Sequence, residues 1–113
     1  MQQFSNWTEH NTHMKQSFGK LAQGHPKMFD AYKALVAAAG AEALDIKTRE
    51  LIAIAVAVTT RCDGCIASHA EAAVKAGATE SEIAGALATA IAMNAGAAYT
   101  YAMHAMEAIE ANR

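Results

Sequence analysis

Alanine occupies 29 of the 113 positions and proline only one, Pro26. Alanine has the highest intrinsic helix propensity and proline the lowest, so this chain is expected to be all-α, with small side chains letting its helices approach closely. At 53% apolar and 18% charged residues it is too hydrophobic for a disordered segment. Its length suits one domain with a real core. Nine basic residues stand against eleven acidic ones, with no basic block. A nucleic-acid partner, which needs a dense positive surface, is therefore excluded. So little charge also leaves too few polar groups to cover a monomer, and a homo-oligomer is expected.

The pattern along the chain divides into six helices. Residues 5–23 are polar with Trp7, Phe18 and Leu21 interspersed, one weak helix. Pro26 suits a first helical position and Gly40 the residue past a helix end. They bracket residues 27–39, where Met28, Phe29, Tyr32, Leu35, Val36 and Ala39 recur at helical spacing. Asp45 is a plausible cap for residues 46–59. A fourth helix covers residues 62–76 and stops at Gly77. Thr79-Glu80-Ser81-Glu82 reads as a capping box that starts a helix to about residue 93. The last helix covers residues 95–111. Ile52, Ile54, Val56 and Val58 alternate with alanines, which is also the pattern of a strand. A strand there, followed by Cys62-Asp63-Gly64-Cys65 and a helix, would imitate thioredoxin. That fold needs a proline facing the cysteines from a later loop, and Pro26 lies upstream. Residues 83–106 carry no charge and are long enough to span a bilayer. Thr89, Asn94, Tyr99, Thr100, Tyr101 and His104 within them fit helices buried at a subunit interface better, so no membrane span is expected. The amino terminus lacks a secretory pattern, and a cytoplasmic location is expected.

Chemistry concentrates between Glu50 and His69. On a helix at 100° per residue, Cys62, Cys65 and His69 fall within about 60° of arc, on another side from Ser68, Glu71 and Lys75, which read as the wet face. Cys65 and His69 are spaced i, i+4 and are therefore neighbours. A thiol beside an imidazole near a helix N-terminus is arranged to ionise. Glu50 shares a stripe of the preceding helix with Ile54, Ala57 and Val58. A carboxylate on an apolar face must be paired or protonated, and His69 is a reasonable partner. Carboxylate, imidazole and thiol in line form a proton relay. Taken singly, Glu50 could be bonded to backbone or to an arginine of another subunit, and His69 could be an ordinary core histidine. The cysteines with His69 and His104 could hold zinc, although a structural site usually draws on a second ligand pair and none follows.

The pattern E-x11-C-x2-C-x3-H, carried by Glu50, Cys62, Cys65 and His69, resembles the signature of the AhpD-like alkylhydroperoxidases within the carboxymuconolactone decarboxylase family. The likeness runs from about residue 44 to 106. It includes KTRELIAIAVAV before the motif, then TESEIAGALATAIAMNAG and YAMHAMEAI after it. The resemblance implies an all-helical single domain over residues 1–113, its core at about 24–111 behind an N-terminal helical extension, 1–23. A central helical hairpin and a symmetric trimer or hexamer are also implied, and helix in place of strand at residues 52–58. It assigns Cys65 as the peroxidatic thiol, activated through His69 and Glu50, and Cys62 as the resolving thiol that closes a Cys62–Cys65 disulfide. It further implies a peroxide substrate, no metal or organic cofactor, and recycling by an external dithiol such as a lipoyl-carrying protein. Full-length peroxidases of this type are longer and carry a histidine between the cysteines, where this chain has Gly64. That leaves a thiol–disulfide oxidoreductase or redox sensor, or a non-catalytic metal- or ligand-binding oligomer, as alternatives. Decarboxylases of the wider family lack the cysteine pair, which counts against lactone decarboxylation.

Overall fold

Capping groups set the helix boundaries in the computed structural model, which describes residues 6–40 and 43–113. Asn6 accepts a hydrogen bond from the Glu9 N–H and opens α1, Trp7–Gly24. The expected start at Ser5 lies outside the described residues. His25 Nδ1 accepts from the Met28 N–H and caps α2, Pro26–Ala39, which begins on its proline. Asp45 Oδ1 accepts from the Thr48 N–H at 2.7 Å and opens α3, Ile46–Thr60. The ambiguous stretch at Ile52–Val58 is therefore helix, and no strand occurs among the described residues. After α4, Asp63–Lys75, Gly77 takes φ 84° and turns the chain. Thr79 and Glu82 then bond each other's backbone N–H groups reciprocally, the capping box that starts α5, Glu80–Ala111.

Five helices thus replace the six read from sequence, because the last two are one 32-residue helix. The expected break at Asn94 is absent: its side-chain N–H donates to the Ala90 carbonyl at 2.7 Å, inside an unbroken run of helix formers. Gly96 alone costs such a helix only about 1 kcal/mol.

The central unit is the helical hairpin of α3 and α4. Arg61 adopts φ 55° between them, and the Arg61 and Cys62 N–H groups bond back to the Val58 and Ala57 carbonyls. This tight turn sets Cys62 at the head of α4. Helix α5 packs against α3, α1 against α4, and α2 against α1 alone among the described residues. The core is correspondingly thin. Among the described residues Ile54, Ala57, Ala67, Ala73 and Ala90 are its buried apolar members, and no large side chain is fully buried. Leu35, Ile91, Met93, Tyr99, Tyr101 and Met106 are all exposed. The radius of gyration is 18.1 Å, against about 13 Å for a compact chain of this length. Helix α5 is also long and apolar enough, by length and composition, to cross a membrane, with a mean hydropathy of 1.2.

Candidate active site

Each reactive side chain owes its place to the α3–α4 hairpin. Cys62 is the N-cap of α4, and its Sγ accepts from the Cys65 N–H at 3.2 Å. The two cysteines form a disulfide, with Cα atoms 5.2 Å apart. Both sulfurs lie at the helix N-terminus, where the backbone dipoles favour negative charge and hence a thiolate once the bond is reduced. His69 lies one turn beyond Cys65. Its Nδ1 stands 2.6 Å from Glu50 Oε2, reaching across from α4 to α3. The Glu50 side chain is 8% exposed and that of His69 37%, so the carboxylate is buried behind an imidazole that reaches solvent. Arg49 Nη2 approaches Glu50 Oε1 at 3.7 Å and supplies a positive neighbour. An ionised Glu50 only accepts, so it orients the ring with Nδ1 protonated and leaves Nε2 for proton exchange.

Cys62, Cys65, Ser68 and His69 line one cavity of about 440 Å³. They are half-buried on its wall rather than enclosed in the core. Glu50, Ile54 and Ala57 are buried as their stripe implied, whereas Val58 is 37% exposed. His104 does not line the cavity. It lies on the exposed outer half of α5 beside Tyr101 and Glu107. Among the described residues no group of three His, Cys, Asp or Glu side chains is placed to hold a metal ion.

The far wall of the cavity was not legible in the motif. It is built by Met14, Lys15 and Phe18 of α1 and by Tyr32 of α2. Helix α1 docks on the side of α4 that the helical wheel marked as wet. Asn11, 3% exposed, donates to Glu71 Oε2 at 3.1 Å, and Lys15 pairs with Glu71 Oε1 at 3.4 Å. The Lys75 hydrogen bond, followed by the Lys15 charge, holds the Glu71 carboxyl below its ordinary range. A wheel separates polar from apolar faces, but a polar helix can dock on a polar face through amide and amine. The available signal was Met14 and Phe18 at i, i+4 spacing in an otherwise polar segment.

The model of the carboxymuconolactone decarboxylase family matches residues 26–108. The chain belongs to that family. The matched segment starts at Pro26, the first residue of α2, and takes in the whole α3–α4 hairpin, leaving α1 outside. An uncharacterized protein of Haemophilus influenzae is 62% identical over 106 residues, 93% of this chain and 94% of its own length. That match leaves out so little of the chain that it takes in most of α1. An uncharacterized protein in the cox locus of Paracoccus denitrificans is 38% identical over 95 residues, 83% of this chain and 86% of its own. A third, from Cupriavidus necator, is 34% identical over 101 residues, 88% of this chain and 89% of its own.

Proposed function

We propose that this family member is a thiol peroxidase that reduces organic hydroperoxides through a Cys62–Cys65 dithiol/disulfide cycle. The observation that carries the reading is a redox-active spacing of cysteines at a helix N-terminus, on a cavity shared with an imidazole whose Nδ1 is held by a buried carboxylate. The Cys65 thiolate attacks the terminal peroxide oxygen, forming an S–O bond as the O–O bond breaks. The departing alkoxide takes a proton from His69, whose charge Glu50 supports. Cys62 then displaces hydroxide from the Cys65 sulfenic acid, which leaves as water and closes the disulfide. An external dithiol, of the lipoyl kind the family resemblance implies, reduces it by exchange and is itself oxidised. Reducing conditions of that kind fit a cytoplasmic location.

The experiment supplies cumene hydroperoxide and reduced dihydrolipoamide to wild type and to Cys65→Ser. Turnover by wild type and its loss in the variant are expected; equal turnover in both refutes the role of Cys65. A second reading, thiol–disulfide exchange without peroxide turnover, draws on Gly64, which leaves no imidazole between the cysteines. Disulfide exchange with the dithiol, but no peroxide consumption, would favour it.

The working form is proposed to be a homo-oligomer. The chain exposes 8757 Å², about 2,800 Å² more than the roughly 6,000 Å² of a compact monomer of 11.9 kDa. A standard interface takes about 800 Å² from each partner, so the excess exceeds one two-fold contact and fits a trimer or hexamer. Thr89, Asn94, Thr100 and His104 on α5 suit a protein neighbour better than lipid. Sedimentation equilibrium tests this, a monomer at micromolar concentration being the refuting result.

A further inference from the structure

We infer that α1, which lies outside the family-matched segment, is the specificity wall of the dithiol site, with Phe18 and Met14 holding the hydrocarbon body of the hydroperoxide. The inference rests on the peroxidase reading of the site and adds to it which part of the chain selects the substrate.

Three observations meet at this wall. First, the cavity is far larger than hydrogen peroxide needs. It measures about 440 Å³, within the range of small-molecule sites, whereas a water-sized molecule takes about 30 Å³. Facing the cysteines across it are Phe18, Met14 and Tyr32, with the Lys15 amine paired to Glu71, so the surface is mainly apolar and of no use to hydrogen peroxide. Second, the wall is fixed in place from two sides. The Phe18 ring lies 5.7 Å from the ring centres of both Phe29 and Tyr32 on α2. On the other side the buried Asn11 and the exposed Lys15 tie α1 to Glu71 on α4. Third, α1 and the cysteine motif share volume. A Cβ at Gly64 would overlap the Met14 sulfur, so the methionine fills the space that a larger residue between the cysteines would take. The glycine of the motif and the thioether of α1 are therefore one feature. Together they place a flexible apolar side chain beside the disulfide, where the carbon next to the peroxide oxygen would lie.

The test reads the cavity without requiring turnover. Reduced full-length protein is alkylated with iodoacetamide and, separately, with N-phenylmaleimide, which carries an aromatic body. The measured quantity is the ratio of the two rates. In Phe18→Ala the aromatic probe's advantage is expected to fall about fivefold. That is below the usual 10- to 200-fold effect of an apolar pocket contact, because Phe18 is itself 43% exposed. Phe18→Leu, which keeps an apolar wall, is expected to stay within about twofold of wild type. An unchanged ratio in Phe18→Ala overturns the inference, and so does a ratio in Phe18→Leu as low as that in Phe18→Ala. Initial rates with cumene hydroperoxide and hydrogen peroxide then separate the two readings. If wild type consumes neither peroxide while the alkylation ratio still falls in Phe18→Ala, the peroxidase reading fails and the wall stands.

Discussion

Replacing Glu50 with glutamine isolates the charge of the carboxylate from its shape. The amide has nearly the same volume, and its oxygen still accepts from His69 Nδ1, which lies 2.6 Å from Glu50 Oε2 in the native protein. What disappears is the negative charge behind the imidazole. A hydrogen bond to a charged group contributes about 1.5–3 kcal/mol and a neutral one about 0.5–1.5 kcal/mol. The difference, about 1–1.5 kcal/mol, acts where His69 carries positive charge, and corresponds to about a tenfold loss of rate. The assay is a single turnover: reduced protein is mixed with cumene hydroperoxide, quenched with acid, and the remaining thiols are counted. Omitting the external dithiol confines the measurement to the chemical step. Glu50→Gln is expected to slow thiol loss about tenfold. Glu50→Ala, which also releases the orientation of the ring, is expected to slow it by about a hundredfold, at the low end of general acid–base effects. Thermal unfolding run in parallel separates a lost proton relay from a lost fold. A Glu50→Gln protein that reacts at the wild-type rate refutes the relay, whatever its stability.

Cys62→Ser should still be oxidised once by peroxide and should accumulate a dimedone-reactive sulfenic acid, whereas Cys65→Ser should give none; mass spectrometry of the adduct decides. Arg61, at φ 55°, occupies a region that costs a side-chain-bearing residue about 1–2 kcal/mol, so Arg61→Gly should leave stability equal or raise it by about 1 kcal/mol in urea titration, where a loss would contradict the strain. Gly64→Ala in the Met14→Ala background should gain the roughly 0.5–1 kcal/mol that alanine holds over glycine in a helix, and should gain less with Met14 present; equal gains in both backgrounds would separate α1 from the motif. Glu71 titrates below its ordinary 4.5 when folded, so its share of the α1–α4 contact is complete above that pH and is lost as pH falls through the lower folded value. Trp7 fluorescence on α1 should accordingly change as pH falls below 4.5 in wild type, and less in Glu71→Gln.

What could be read in advance was whatever depends on local chemistry. Asp45, Pro26, Gly77 and the Thr79–Glu82 pair end or open helices through groups one to three residues away, so a short window of sequence contains the whole cause. Glu50 was conspicuous because a carboxylate on an apolar stripe requires a partner, and His69 lay at the matching height of the next helix. The continuity of α5 was not legible. Asn94 and Gly96 are weak breakers, and nothing local records that the asparagine side chain bonds the carbonyl one turn back. Nor did the sequence reveal the docking of α1. Asn11 and Glu71 are sixty positions apart, and each alone looks like an ordinary surface residue.

The same long-range dependence connects the cavity to assembly. Phe18 is held by Phe29 and Tyr32, yet α2 touches α1 alone among the described residues and has no buried residue of its own. With one packed neighbour and with Leu35 and Val36 exposed, α2 offers apolar surface for a partner to cover. In the proposed oligomer the surface that covers α2 therefore also steadies the ring stack behind the cavity. The thin core and the well-formed site then have one explanation. The α3–α4 hairpin, with its short turn, holds the cysteines, Glu50 and His69 within a single chain, while the wall that faces them is braced by α2, the helix that the proposed oligomer would cover.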